Sequence, residues 1–379
     1  MQSALYRYTH GDFDRYKTSG AFEEQNAALV LCFSSRAVLD DTDLYGLLHR
    51  KFPQAAILVC STAGEICHTE VTDGSASVTA FCFKHTPLVL KSVDIADYPD
   101  SFEAGRALMT SFDPKGLRYV LVLSDGGKVN GSSLSEGMNS VAGDVLLTGG
   151  LAGDGDRFQS TLIGAGGTPR EGLIAAVGFY GDHLQVGHGS QGGWETFGLE
   201  KAVTRSEVNV LYEIDGKNAL DIYKHYLGPE ADGLPGAALL FPLAVILPGA
   251  TEPVVRTILS IDEPTASMTF AGNIPVGSKV RFMRANFDRL THAASNAASG
   301  AVAGPDFPPQ FALLISCVGR KLILRSRIDE EVEAVDRVFD HRTLLAGFYS
   351  YGELSPLTSG GACQLHNQTM TITTFYEVE

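Results

Sequence analysis

The sequence has little that would mark it as a secreted, metal-stapled or nucleic-acid-binding protein. Its six cysteines are scattered over nearly the whole of its 379 residues with no CxxC pair. That excludes a disulfide scaffold and the usual structural zinc spacing, and predicts a reduced, cytoplasmic chain. Basic residues are scarce, 29 against 44 acidic, for a net charge of −15. The deficit argues against sequence-independent nucleic-acid binding and against a polybasic membrane surface. Long apolar runs are missing too. The longest, 237–247, is interrupted by Pro242 and followed by Pro248, well short of the ~20 residues that cross a bilayer. Residues 1–15 carry no apolar core of a secretory signal, so none is expected. Finally, there is no GxxxxGK[ST], no GxGxxG that follows a strand and opens a helix with a later acid, no GxSxG elbow and no CxxCH. A soluble, acidic protein of two or three domains is expected at ~150 residues per domain.

What the sequence does hold is glycine, 41 residues of it, placed mostly between apolar runs where turns need it. Periodicity predicts three segments with one plan. The first runs through a strand at 28–33, a helix at 43–52 with Asp40 or Asp41 as N-cap, a strand at 56–60, a turn at 62–65 and a strand at 76–83. The second has a strand at 119–123, a helix near 134–141, a strand at 145–147, a turn at 150–154, and strands at 160–163 and 173–179. The third has a strand at 311–317, a helix at 331–339, a strand at 344–348, a turn at 350–353 and a strand at 368–376. A further pair, 254–261 and 266–270, reads as a hairpin, and 293–309 as a helix end running into a loop. The expected class is α/β, with strand-helix-strand-strand units forming sheets covered by helices in two associated domains. The domain reading is an N-terminal extension 1–26, one domain at 27–217 and a second at 218–379. A softer boundary is marked by Gly228, Pro229, Gly233, Pro235 and Gly236.

Each segment carries a glycine-acid pair just past a strand: Gly64-Glu65, Gly153-Asp154 and Gly352-Glu353. Ligand sites in open α/β sheets gather at the carboxyl ends of strands. Glu65, Asp154 and Glu353 are therefore candidate ligand contacts, with Gly64, Gly150, Gly153 and Gly352 allowing close approach and Tyr351 adjoining. The run Ser124-Asp125-Gly126-Gly127-Lys128 lacks phosphate-loop spacing and reads as a strand-to-helix loop. Asp154 and Asp156 do not make the oxygen-rich loop that calcium needs. Cys60, Cys67 and His68 are the best nucleophile-like cluster, but cysteines in apolar strands behave as small buried hydrophobes. The single tryptophan, Trp194, follows Gly192 and Gly193 and is either core or part of a site. His188 lies between two glycines and His366 opens the last strand. These two are the candidate metal-ligating histidines.

The motifs Cys60-Ser-Thr-Ala-Gly-Glu-Ile66, Gly149-Gly-Leu-Ala-Gly-Asp-Gly155, Gly192-Gly-Trp194 and Glu213-Ile-Asp-Gly216 resemble the N-terminal half of the FIST family. Ala346-Gly-Phe-Tyr-Ser-Tyr-Gly-Glu353 and Leu365-His-Asn-Gln-Thr369 resemble its C-terminal half. The resemblance covers nearly everything after residue 27 and keeps the family's motif order. It implies a non-enzymatic sensory protein for a small ligand, amino acids among those suggested. Signalling would pass to a partner such as a histidine kinase, chemotaxis proteins or cyclic-di-GMP machinery. One subgroup of stand-alone members binds haem and senses nitric oxide. That alternative would use non-covalent haem b on His188, ranked ahead of His366, in an apolar pocket. An enzyme of unknown reaction is the third reading.

Overall fold

The computed structural model describes residues 1–378 except 235, 303, 305–307 and 359. Pro235 of the softer boundary and part of the 293–309 loop therefore lie outside the described residues. Three apolar runs, Leu29–Ser35, Leu117–Ser124 and Phe311–Cys317, become the central strands of three separate six-stranded sheets. Each lies parallel to the strand that follows it through a helix, Ala56–Thr62, Leu146–Leu151 and Leu344–Ser350 respectively. Its other neighbour is antiparallel: Ala76–Cys82, Leu173–Tyr180 and Met370–Glu377. Strands of this kind are buried on both faces, which is why they read as continuous hydrophobic runs without alternation.

The three sheets exchange strands in a closed ring. Glu65–Cys67 leaves the first sheet and pairs with Leu344–Ser350 of the third. Gly352–Pro356 leaves the third and pairs with Leu146–Leu151 of the second. Ile163–Ala165 leaves the second and pairs with Ala56–Thr62 of the first. The sheets thus form a three-sided prism with approximate threefold internal symmetry. Alternate residues of the central strands point inward to one shared core, among them Leu31, Phe33, Leu121, Leu123, Leu313 and Ile315. Phe33 stacks on Phe348 at 4.8 Å, and Phe81 meets the edge of Phe311 at 4.8 Å, tying the first sheet to the third. The outward residues, such as Val30, Val122 and Leu314, lie under the helices.

Several details depart from the periodicity reading. The first helix pair is Arg36–Asp41, capped by Ser35, and Leu44–Lys51, capped by Asp43 through Gly46 N at 2.9 Å. Asp40 and Asp41 end the earlier helix and cap nothing, because the chain makes an extra turn before the amphipathic stretch. The expected turn at 350–353 is already the start of a strand, since its backbone pairs across to the second sheet. Residues 254–261 split into Val254–Arg256 and Ile258–Asp262. Residues 1–26 complete the first sheet: Gln2–Thr9 pairs with Ala76–Cys82 and with Asp12–Ser19. The Met1 ammonium lies 3.0 Å from Glu377 on the last strand.

Between Gln191 and the helix Phe287–Gly300 the chain builds a smaller antiparallel unit. Glu195–Glu207 pairs with Val210–Ile214 and with Lys279–Arg284, and the helix Ala219–Leu227 covers its separate core. Pairing in this unit runs across residue 218, where the sequence divides the halves. The third prism sheet likewise takes Leu184–Gln191 from the first half and Phe311–Cys317 from the second. The two halves are interwoven. No helix among the described residues is long and apolar enough to cross a membrane.

Candidate functional site

The strand exchange brings three chain crossings to one rim. Ala63 N donates to Tyr349 O at 2.8 Å, Tyr351 N to Leu151 O at 3.1 Å and Gly153 N to Ser61 O at 3.0 Å. Ala63, Tyr351 and Gly153 are thereby equivalent positions. Two residues further on stand Glu65, Glu353 and Gly155. The first two acids are equivalent in every contact. Glu65 accepts from Thr62 Oγ1 (2.5 Å), Ser75 N (3.1 Å) and Ser75 Oγ (3.0 Å). Glu353 accepts from Ser350 Oγ (2.6 Å), Thr369 N (3.1 Å) and Thr369 Oγ1 (2.8 Å). Asp154 is one residue out of register with them, so the three-acid equivalence read from the sequence is corrected to two. Asp154 accepts instead from Gln159 N (3.1 Å), Ser160 N (3.0 Å) and the Tyr351 hydroxyl, and so holds the loop 155–161.

All three carboxylates are buried and point into these clamps. Burial pushes Glu65 and Glu353 up to about 7, despite their hydrogen bonds. Burial pushes Asp154 the same way, but the Tyr351 hydroxyl and the Ser160 and Gln159 amides outweigh it and hold it below the usual range. Between pH 4.5 and about 7 the folded protein therefore keeps protons on Glu65 and Glu353 that the unfolded chain has lost. Stability contributed by these groups falls as pH rises through that window. Buried His366, pulled down to about 4, acts oppositely between pH 4 and 6.5. Replacing Glu65 with Gln is expected to stabilise the protein at pH 8 relative to pH 5 by roughly 2 kcal/mol against wild type. Parallel denaturation curves at the two pH values check this, and an unchanged difference refutes it.

Asp125 ties down the loop that the phosphate motif would have used. Its Oδ1 accepts from Gly127 N (2.7 Å), Lys128 N (2.9 Å) and Thr161 Oγ1 (2.8 Å), while Gly126 N donates to Thr161 Oγ1 at 2.8 Å. Those amides have no free N–H for an anion. Cys60 and Cys67 are buried, which raises Cys60 far up and Cys67 to about 11. His68 faces Lys17 Nζ at 3.2 Å, so no Cys–His pair forms. Among the described residues no group of three His, Cys, Asp or Glu could hold a metal.

Two cavities flank the rim, separated by the loop 155–161. The larger, 660 Å³, is lined by Ala63, Val71, Asp73, Gly155 and Asp156 from the first half of the chain. The second half supplies Gly236, Leu239, Leu240, Val318, Lys321, Leu322, Ile323, Arg325 and Ile328. Lys321 Nζ donates to Ala63 O at 2.8 Å and pairs with Asp73. Gly64 makes room for it, since a Cβ there would lie 2.8 Å from Lys321 Nζ. Asp156 and Arg325 form no ion pair among the described residues. The second cavity, 370 Å³, is lined by Lys128, Asn130, Leu151, Phe158, Gln159, Thr161, Asn209, Phe270 and Tyr351, among others.

Of the candidate ligand- and metal-binding residues named from the sequence, only Tyr351 and His188 line a described cavity. Glu65, Asp154 and Glu353 shape the rim from behind. Gly153 packs on Ala63, Gly150 on Ile315, and Gly352 on Leu365. Asp156 and Arg325, which form no ion pair among the described residues, and Lys321 are not among those candidates; the sequence raises Asp156 only as a calcium ligand. They lie in no motif, and only the fold brings them together.

Trp194 is half-buried, with Nε1 donating to Gln368 O at 2.9 Å and its ring against the Leu290, Ile323 and Leu324 cluster. Trp194→Ala is expected to cost about 2 kcal/mol, less than for a fully enclosed ring. A thermal melt with no shift would contradict this packing. His188 lines a third cavity of 750 Å³. Its Nε2 is engaged by Pro356 O at 2.9 Å, and its Nδ1 is buried without a partner. His366 is fully buried, bonded to Ser355 O at 2.9 Å, and lines no described cavity. An axial ligand needs a lone pair that the porphyrin can reach. With Nε2–H donating to a carbonyl, each histidine keeps its lone pair on a buried Nδ1 that a porphyrin does not reach, so these residues do not fit haem.

Family models match almost the whole chain: the FIST N domain over residues 28–217 and the FIST C domain over 219–356. No curated protein matches the sequence. Among solved structures, a cyanuric acid hydrolase from A. caulinodans is similar over 100% of both chains at 10% identity, with a TM-score of 0.37. A likeness that weak carries no argument about fold or reaction.

Proposed function

The chain belongs to the FIST family, whose domains sense small ligands in signal transduction, and we propose that its ligand site is the 660 Å³ cavity. One observation carries this reading. An unpaired acid, Asp156, and an unpaired cation, Arg325, line the same cavity between walls of Leu239, Leu240, Leu322 and Ile323. Lys321 adds a third donor, because an ammonium has three N–H groups and the protein uses two. The complement of such a lining is a small zwitterion with an apolar body, such as an aliphatic amino acid. Segments from both halves of the chain wall the cavity, so occupancy would favour one arrangement of those walls over another. A partner protein such as a histidine kinase would read that arrangement. Binding without catalysis is part of the proposal, supported by buried thiols that burial holds protonated. A cytoplasmic setting is supported by six cysteines that are all free. No observation favours haem.

Trp194 packs beside Ile323, which lines the cavity, so its emission is a built-in reporter. Titration with alanine, valine, leucine, lysine and glutamate should give saturable quenching or enhancement, strongest for an aliphatic member. Arg325→Gln is expected to weaken that binding about tenfold or more, as for a hydrogen bond to a charged group. If no amino acid binds by calorimetry or emission, the zwitterion reading falls.

A further inference from the structure

The 370 Å³ cavity differs chemically from the one beside it. No residue lines both. Among the described residues its only cation, Lys128, is already paired with Glu171 at 2.7 Å, and no unpaired charge lines it. Three of its walls are aromatic: Phe158, Tyr351 and Phe270. Phe158 stacks on Tyr351 with ring centroids 4.5 Å apart and 17° between planes. Phe158 as a whole stays 44% exposed, and its backbone is left-handed at φ 52°. A left-handed aromatic residue is strained, and exposing the ring adds a second cost. The Phe158 amide, held by the Tyr351 hydroxyl at 3.1 Å, fixes the ring at the cavity mouth. Hydrogen-bonding capacity stays free on the same walls. Among the described residues the Gln159 carboxamide has no partner, and Asn209 uses its Nδ2 on Phe270 O at 2.7 Å, leaving Oδ1 open.

We propose that this cavity is a second binding site, for an uncharged planar ligand that stacks on the Phe158–Tyr351 pair and hydrogen-bonds edge-on to Gln159 and Asn209. Its volume suits a one- or two-ring molecule, within the range of ordinary ligand pockets. Carboxamides present a donor and an acceptor side by side, which matches an amide-like edge on a ring. The site is independent of the zwitterion reading, because neither the residues nor the ligand chemistry are shared. The two sites meet only through the loop 155–161, which Asp154 and Tyr351 hold from behind.

The test uses the full chain and five probes: benzamide and nicotinamide, their saturated analogue cyclohexanecarboxamide, and the charged isosteres benzoate and benzylammonium. Ligand-observed NMR should show saturable binding of the two planar amides. Cyclohexanecarboxamide, benzoate and benzylammonium should each bind at least about tenfold more weakly. Phe158→Ala should weaken benzamide binding about tenfold, in line with losing one aromatic stacking partner. Gln159→Ala, at an exposed position, should weaken it several-fold without changing the melting temperature. Phe158→Leu keeps the bulk but not the flat face and should resemble Phe158→Ala. Absence of saturable benzamide and nicotinamide binding overturns the proposal. So does binding that Phe158→Ala leaves intact, or preference for either charged isostere. Amino-acid titrations of the same samples report separately on the other cavity.

Discussion

Replacing Arg320 with methionine is expected to remove about 3–5 kcal/mol of stability, the cost of breaking a buried ion pair by deleting one partner. Arg320 and Glu331 are both fully buried, and their network leaves little unmatched. Arg320 Nε and Nη2 donate to Glu331 Oε2 at 3.0 and 2.7 Å. Ser316 Oγ and Tyr349 Oη donate to Glu331 Oε1 at 3.1 and 2.7 Å. The remaining guanidinium N–H groups reach Gly192 O at 2.5 Å, Leu290 O at 2.9 Å and, more weakly, Gln368 O at 3.4 Å. One side chain thus fastens the helix Val318–Leu324 to the helices on either side and to the loop before Trp194. Removing it strands a carboxylate and two carbonyls away from water. The double substitution Arg320→Met with Glu331→Leu should recover part of the loss, since it also removes the stranded charge. Urea denaturation of the three variants decides the matter. A single-variant loss under about 1 kcal/mol would show that the network is not a stability hub. The same helix carries Lys321, Leu322 and Ile323 to the 660 Å³ cavity, so the variant should also blunt the Trp194 response to ligand.

Much of the prism was legible because its central strands are apolar on both faces. Runs such as Tyr119–Leu123 and Phe311–Cys317 have only one comfortable place in an acidic, glycine-rich chain. The repeated order of strand, helix, strand and strand was also visible. What periodicity could not supply was the exchange of strands between sheets. Local pattern fixes which face of Glu65–Cys67 is buried, but not which distant strand it meets. The hairpin at residues 2–19 was read as an extension because its second strand is polar and largely exposed, an edge strand guarded by charge. The inserted antiparallel unit was masked for a related reason. Its strands before residue 218 pair with strands some sixty to ninety residues later.

The site was legible only in outline. Short glycine-acid matches pointed to the rim that the two cavities flank, because tight crossings of chain need small residues there. Their acids proved to be internal clamps: a carboxylate placed where backbone amides converge is consumed by them. Asp154 resembled Glu65 in sequence, yet lies one residue away in register, and that single step gave it a different partner set. The charges left without an ion pair among the described residues, Asp156 and Arg325, and the ammonium of Lys321 with an N–H to spare, come from a loop, a helix end and a helix face with no shared pattern. An unpaired charge is visible only once every potential partner has a position.

The glycines around His188 give the second large effect, and they test a sequence reading directly. They looked like spacing that frees a ligating histidine. In the fold they are where the helix Phe287–Gly300 lies down on the strand Leu184–Gln191. A Cβ on Gly187 would overlap the Ala301 carbonyl oxygen, and one on Gly189 would overlap that of Ala297. The facing helix contributes Ala293, Ala294, Ala297 and Ala298, all buried, so both surfaces are already at their smallest. Gly189→Ala is therefore expected to push the helix off the sheet and cost about 3 kcal/mol, the upper end for overpacking a tight contact. His188→Ala should cost less, about 1 kcal/mol, since it removes one hydrogen bond to Pro356 O and opens onto an existing cavity. Differential scanning calorimetry of the two variants gives the ranking. Greater damage from His188→Ala than from Gly189→Ala would restore the histidine as the reason this segment is built from glycine.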